Sequence, residues 1–195
     1  MQEPVTQYFE TLNHHLKTAM ATGRDGMALT LNEGLELGMR ELVRAGRSAR
    51  KVMFVGNGGS AGIASHQATD YMKNGGFKSL AFNDGSLLTC LGNDYGFQHV
   101  FEKSIERFAD KGDVLIAISS SGKSENILRA AKAGKAAGCF VITMSGFGAD
   151  NPLRELGDLN LYVPAKPGDY GYVEISHLAL SHAMLETIIW RGHMK

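Results

Sequence analysis

Apolar residues recur at helical spacing through the first quarter of the chain. Val5, Phe9, Leu12 and Leu16 predict a helix over residues 4 to 22, and Met27, Leu31, Leu35, Met39 and Leu42 predict a second over 26 to 46. Thr22-Gly23-Arg24-Asp25 separates them. From residue 51 the pattern changes. Val52 to Val55, Lys78 to Phe82, Val114 to Ile118, Phe140 to Met144 and Asp158 to Val163 are short apolar runs, of the kind that form strands buried on both faces. Helices are predicted after Gly59 and over 86 to 91, 100 to 109, 125 to 137 and 172 to 191, with turns at 83 to 86 and 111 to 113 and a glycine-punctuated loop at 92 to 97.

Strand and helix alternate with short connections, which calls for right-handed crossovers and a parallel sheet covered on both faces. The expected fold class is α/β, a three-layer sandwich with a central parallel sheet and N-terminal helices. One domain spans 1 to 195, with 1 to 48 as a helical extension. There is no long repeat and no low-complexity linker.

Twenty acidic residues balance twenty basic ones, so nothing in the net charge marks a nucleic-acid or anionic-membrane partner. No apolar run reaches the roughly 18 residues of a membrane span, and the N-terminus has no basic leader pattern. Cys90 and Cys139 lack metal-site spacing and sit beside apolar runs, so both are expected to be buried free thiols in a reducing, cytoplasmic setting.

The chemistry concentrates around Gly56-Asn57-Gly58-Gly59-Ser60, a turn between a strand and a helix. Backbone N–H groups there meet the positive end of a helix dipole, a natural site for phosphate. Ser119-Ser120-Ser121-Gly122-Lys123-Ser124 is a second such loop at the carboxyl end of a strand, and four serines exceed what one helix cap needs. His66 and Asp70, at i and i+4, share one helix face. Glu174, His177 and His182 lie on the last helix, and Glu174 and His182, eight residues apart, project to similar sides. Two helices each carrying a histidine and a carboxylate would suit a divalent metal if they converge. His14 and His15 point to different faces, which favours solvent or a subunit contact over a metal pair. Gly56-x-Gly58-x-x-Ala61 with Asp84 also fits a relaxed dinucleotide fingerprint. Gly122-Lys123-Ser124 has no earlier glycine for a triphosphate loop, since that position is Ala117.

On these motifs, together with Gly92-Asn93-Asp94-Tyr95-Gly96-Phe97 and Gly112-Asp113-Val114-Leu115, the chain from about 50 to 188 resembles the sugar isomerase (SIS) domain, and within it the phosphoheptose isomerases. The resemblance implies a flavodoxin-like sheet topology, conversion of sedoheptulose 7-phosphate to D-glycero-D-manno-heptose 7-phosphate, zinc, and a homotetramer with sites at subunit interfaces. It also implies phosphate binding by Ser60, Ser119, Ser120, Ser121 and Ser124 with Gly58 and Gly59, and sugar contacts from Asn57 and Asp94. His66, Asp70, Glu174 and His182 would hold the metal, with Asp70, Glu174 and His182 catalytic. The sequence departs from that family at Asp70, where a glutamate is usual, at Glu174, where a glutamine is usual, and at Asn74, where a basic residue is usual beside Lys73. Three rival readings follow: a non-catalytic SIS binding protein of the type that associates with a replication initiator, an isomerase of another sugar phosphate, and a nicotinamide-dependent oxidoreductase.

Overall fold

The structure, a computed structural model, describes residues 3 to 193. A seven-stranded sheet runs in the order β2-β1-β7-β6-β5-β3-β4. Its strands are β1 (Met20–Gly23), β2 (Ala28–Leu29), β3 (Lys51–Gly56), β4 (Lys78–Ala81), β5 (Val114–Ser119), β6 (Phe140–Phe147) and β7 (Leu159–Pro164). β3 to β7 are mutually parallel, the α/β core that the alternating pattern predicts. β1 is antiparallel to both β7 and β2, so the complete sheet is mixed.

Among the described residues, seven α-helices accompany it: α1 (Pro4–Thr18), α2 (Leu31–Arg47), α3 (Gly59–Lys73), α4 (Gly85–Tyr95), α5 (Val100–Phe108), α6 (Glu125–Ala136) and α7 (Tyr170–Trp190). Side chains on the central strands alternate between two cores. Phe54, Ile116, Ile118 and Met144 enter one with residues of α2, α3 and α7, while Met53, Val55, Leu115 and Val141 enter the other with residues of α5 and α6. Both faces are therefore dry, which is why these strands read as unbroken apolar runs.

The N-terminal third differs from its sequence reading. The first helix stops at Thr18 instead of 22, and the second starts at Leu31 instead of 26. The intervening chain pairs with the open edge of β7, Ala21 opposite Leu161, and doubles back through β2. Strands of four and two residues are too short to show a period of two, so the sheet edge makes this choice. α2 begins at a capping box, in which Thr30 and Glu33 satisfy each other's backbone N–H groups. α4 runs on through Tyr95, so most of the expected loop at 92 to 97 is helical.

Two buried acids secure the strand ends opposite the serine loop. Asp113, fully buried, accepts from the N–H groups of Lys51 and Asp110 and pairs with Lys51 Nζ at 2.9 Å. Asp158 accepts from Val141 N–H and from the Arg24 guanidinium. No helix among the described residues is long and apolar enough to cross a membrane.

Candidate active site

Gly56 ends β3 and pairs in parallel with Ile118 of β5, so the two Gly/Ser loops leave the sheet side by side. Together with Tyr170 and Glu174 they line a cavity of about 220 Å3. Gly58 is the N-cap of α3 at φ 54°, left-handed backbone that suits glycine, and it offers no side-chain cap to the first-turn N–H groups. Ser124 occupies the N-cap of α6 yet makes no capping bond. Its hydroxyl bonds Ser119 Oγ at 3.3 Å, and Ser121 Oγ accepts from Lys123 N–H at 3.2 Å. Serines spared from capping around uncapped helix starts form a donor-rich cradle for a tetrahedral oxyanion.

The loops are tied together by a residue that sequence reasoning missed. Asn126, buried on the first turn of α6, donates to Asn57 Oδ1 at 2.9 Å and accepts from Asn57 Nδ2 at 2.8 Å. The Asn57 amide, expected to contact sugar, thus spends one donor and one acceptor on holding the loops in register. Nothing in the sequence marks Asn126, since an asparagine in the first turn of a helix is unremarkable by itself.

Glu174 leans over the start of α3. A Cβ on Gly59 would collide with both of its carboxylate oxygens, so glycine is what lets the acid approach. This places Glu174 in the cavity with the serines, outside the group formed by the other three expected metal ligands.

That group is His66, Asp70 and His182, whose ligand atoms lie within 4.8 Å of one another. Asp70 Oδ2 is 3.2 Å from His66 Nε2 and 3.9 Å from His182 Nε2. His66 and Asp70 stand on α3, and α7 packs beside α3 to bring in His182. Gln67, fully buried and also unforeseen, fixes the His182 ring. Ser181 Oγ donates to Gln67 Oε1 at 2.7 Å, which turns the Gln67 NH2 toward His182 Nε2 at 2.9 Å, so that this nitrogen is an unprotonated acceptor. Two imidazoles and a carboxylate fit a divalent cation, with His182 Nε2 available once Gln67 yields it.

The remaining candidates are placed as follows. Asp94 lies exposed on α4, bonded to Asn93 Nδ2 and outside the cavity lining of its own chain. Asp84 caps α4 through Leu87 N–H, so the residue that suggested a ribose contact has a structural partner. His177 is fully buried, donates to the Ser145 carbonyl at 3.0 Å, and burial lowers its pKa to about 4. His15 is buried rather than exposed. It bonds Pro164 O at 2.7 Å beside Tyr172, because α1 lies across the start of α7. Cys139 is buried as expected, with its thiol pushed up to about 12, but Cys90 is exposed on the outer side of α4.

Comparison with known proteins adds lineage to this geometry. The SIS domain profile matches residues 7–146. The phosphoheptose isomerase of Aliarcobacter butzleri is 35% identical over 165 residues, covering 82% of this chain and 86% of that one. The phosphoheptose isomerase of a Bradyrhizobium species (strain BTAi1) is 39% identical over 178 residues, covering 87% and 86%. The solved structure of a phosphoheptose isomerase from Neisseria gonorrhoeae superposes with a TM-score of 0.78 at 29% identity, covering 94% of this chain and 97% of that one.

Proposed function

The chain belongs to the SIS domain family and, within it, to the phosphoheptose isomerases, and from that premise we propose that it interconverts sedoheptulose 7-phosphate and D-glycero-D-manno-heptose 7-phosphate. One observation carries the reading. The oxyanion cradle and the His66–Asp70 pair share α3, and the six-residue step from Ser60 to His66 sets them roughly 9 Å apart along the helix axis. That span suits an open-chain sugar with phosphate at one end and the reacting carbonyl at the other.

In this reading Ser60, Ser119, Ser120, Ser121 and Ser124 hold the phosphate with the N–H groups of Gly58 and Gly59, fixing the substrate in register. Asp70 removes the C1 proton of the ketose and returns it at C2. His182, starting from its unprotonated Nε2, takes the proton of the C1 hydroxyl and delivers it to the C2 oxygen, so the exchange balances with no external oxidant. Glu174, above Gly59, accepts hydrogen bonds from sugar hydroxyls and is the alternative carbon base. A divalent ion, zinc by family precedent, would be held by His66, Asp70 and His182 and would supply Lewis-acid polarisation of the carbonyl.

We further propose a single SIS domain working in the cytoplasm as a homotetramer, in which Asp94 reaches a neighbouring subunit's sugar. The support is that Asp94 is exposed outside its own chain's cavity and that Val5 and Phe9 stand 69% and 62% exposed on α1.

Metal analysis of the purified protein, with an isomerase assay over a panel of ketose phosphates, tests the reading. Bound zinc and turnover of the seven-carbon substrate are expected. Turnover confined to another sugar phosphate would move the assignment, and neither metal nor turnover would leave a binding protein.

A further inference from the structure

A cavity of about 510 Å3 lies at the pole opposite the serine loops, between the later turns of α2 and the end of α7. Met39 and Val43 give it an apolar floor, and Arg40, Arg44, Arg47 and Arg191 give it a cationic wall. A second hollow of about 330 Å3 shares Arg44 and Ser48 with it and adds Arg50 and Lys111, which precede β3 and β5.

The charge here is lopsided for a chain whose formal charges cancel. Arg44 pairs with Glu41, Arg191 with Glu36, and Lys51 with Asp110 and Asp113. Arg40 reaches Glu41 only at 3.9 Å and is 69% exposed. The side chains of Arg47, Arg50 and Lys111 have no hydrogen bond or ion pair among the described residues. Helix-dipole compensation accounts for Arg44 and Arg47 in the last turn of α2 and for Arg191 at the C-cap of α7, but not for Arg40, Arg50 or Lys111. The unpaired guanidinium groups of Arg47 and Arg50 and the loosely paired one of Arg40 border hollows of ligand size and present bidentate donors that match phosphate oxygens.

We propose that this pole is a second anion site, for a small molecule carrying two or more phosphates, such as a nucleoside triphosphate. The phosphates lie across Arg40, Arg47, Arg50 and Lys111, and the apolar part of the ligand rests on Met39 and Val43. The site is independent of the isomerase chemistry, which belongs to the other end of the sheet.

Calorimetric titration of the full chain with inorganic tripolyphosphate, and separately with ATP, at low and at high salt tests it. Saturable binding that weakens with salt is expected. Arg40→Glu/Arg47→Glu and Arg50→Glu/Lys111→Glu should each weaken it by about tenfold or more, while Ser119→Ala/Ser121→Ala at the opposite pole keeps it. Arg→Gln versions serve if charge reversal lowers the melting temperature. Absence of saturable binding, or binding lost in the serine variant and kept in the arginine variants, would overturn the proposal. Tighter binding of ATP than of tripolyphosphate supports the role of the apolar floor, and equal binding overturns that part.

Discussion

Asn57 and Asn126 face each other through two reciprocal amide hydrogen bonds, 2.8 and 2.9 Å, across the gap between the loops that follow β3 and β5. Asn126 is buried and Asn57 half-buried, so the bonds hold two separately folded Gly/Ser turns at one spacing. Asn126→Ala leaves the Asn57 amide without its partner and frees the loops to drift. KM for the sugar phosphate should rise about tenfold with a smaller change in kcat, and stability should fall by about 1 to 3 kcal/mol. Steady-state kinetics and denaturant unfolding check both numbers, and an unchanged KM would remove the clamp.

Gly59 is matched to Glu174. Gly59→Ala places a methyl where the carboxylate sits, so Glu174 must swing out of the cavity or α3 must shift. A displacement of about 1 Å near reacting groups can cost on the order of a hundredfold in rate, and kcat/KM is expected to fall by that order. A crystal structure of the variant should show the Glu174 carboxylate moved, and a variant with wild-type kinetics would mean that its position is immaterial.

Asp70 and His182 carry the proton transfers in the proposed reaction. Asp70→Asn and His182→Ala should each lower kcat by roughly a hundredfold to ten-thousandfold while phosphate still binds at the serine loops, measured by inhibition or calorimetry. The same variants should retain less zinc than wild type, because both residues belong to the three-member ligand group. Glu174→Gln should retain metal. Loss of zinc in that variant would instead draw Glu174 into the group.

His177 makes stability depend on acidity. Burial holds its imidazole neutral in the native state down to about pH 4, whereas in the unfolded chain it protonates near 6.5. Between those values the unfolded state binds the extra proton, so this contribution is intact above pH 6.5 and is lost as pH falls toward 4, by about 3 kcal/mol in all. His177→Asn keeps a donor for the Ser145 carbonyl and removes the titration. Its unfolding free energy should decline less steeply across that window, and parallel curves would discount the group.

Much of this protein is written locally. A continuous apolar run such as Val114 to Ile118 can be satisfied only between two covering layers, so the parallel core was legible from residue pattern alone. The glycine turn, the serine loop and the i, i+4 spacing of His66 and Asp70 are likewise short-range facts, each fixed by backbone conformation within a few residues. Asn126 and Gln67 were not legible, because their meaning lies in partners 69 and 115 residues away. Chain order carries no mark of such distances.

What the sequence determined by itself was the class of fold, the two Gly/Ser turns at the strand ends and the set of histidines and acids from which a site could be drawn. The tertiary structure decided which of them meet. Packing of α7 beside α3 joined His182 to Asp70 and put Glu174 at the cradle, and the free edge of β7 drew residues 20 to 29 out of a helical pattern into the sheet. The reason is physical: periodicity reports which face of an element is buried, whereas the neighbour that covers it is selected by shape and hydrogen bonding across the whole chain.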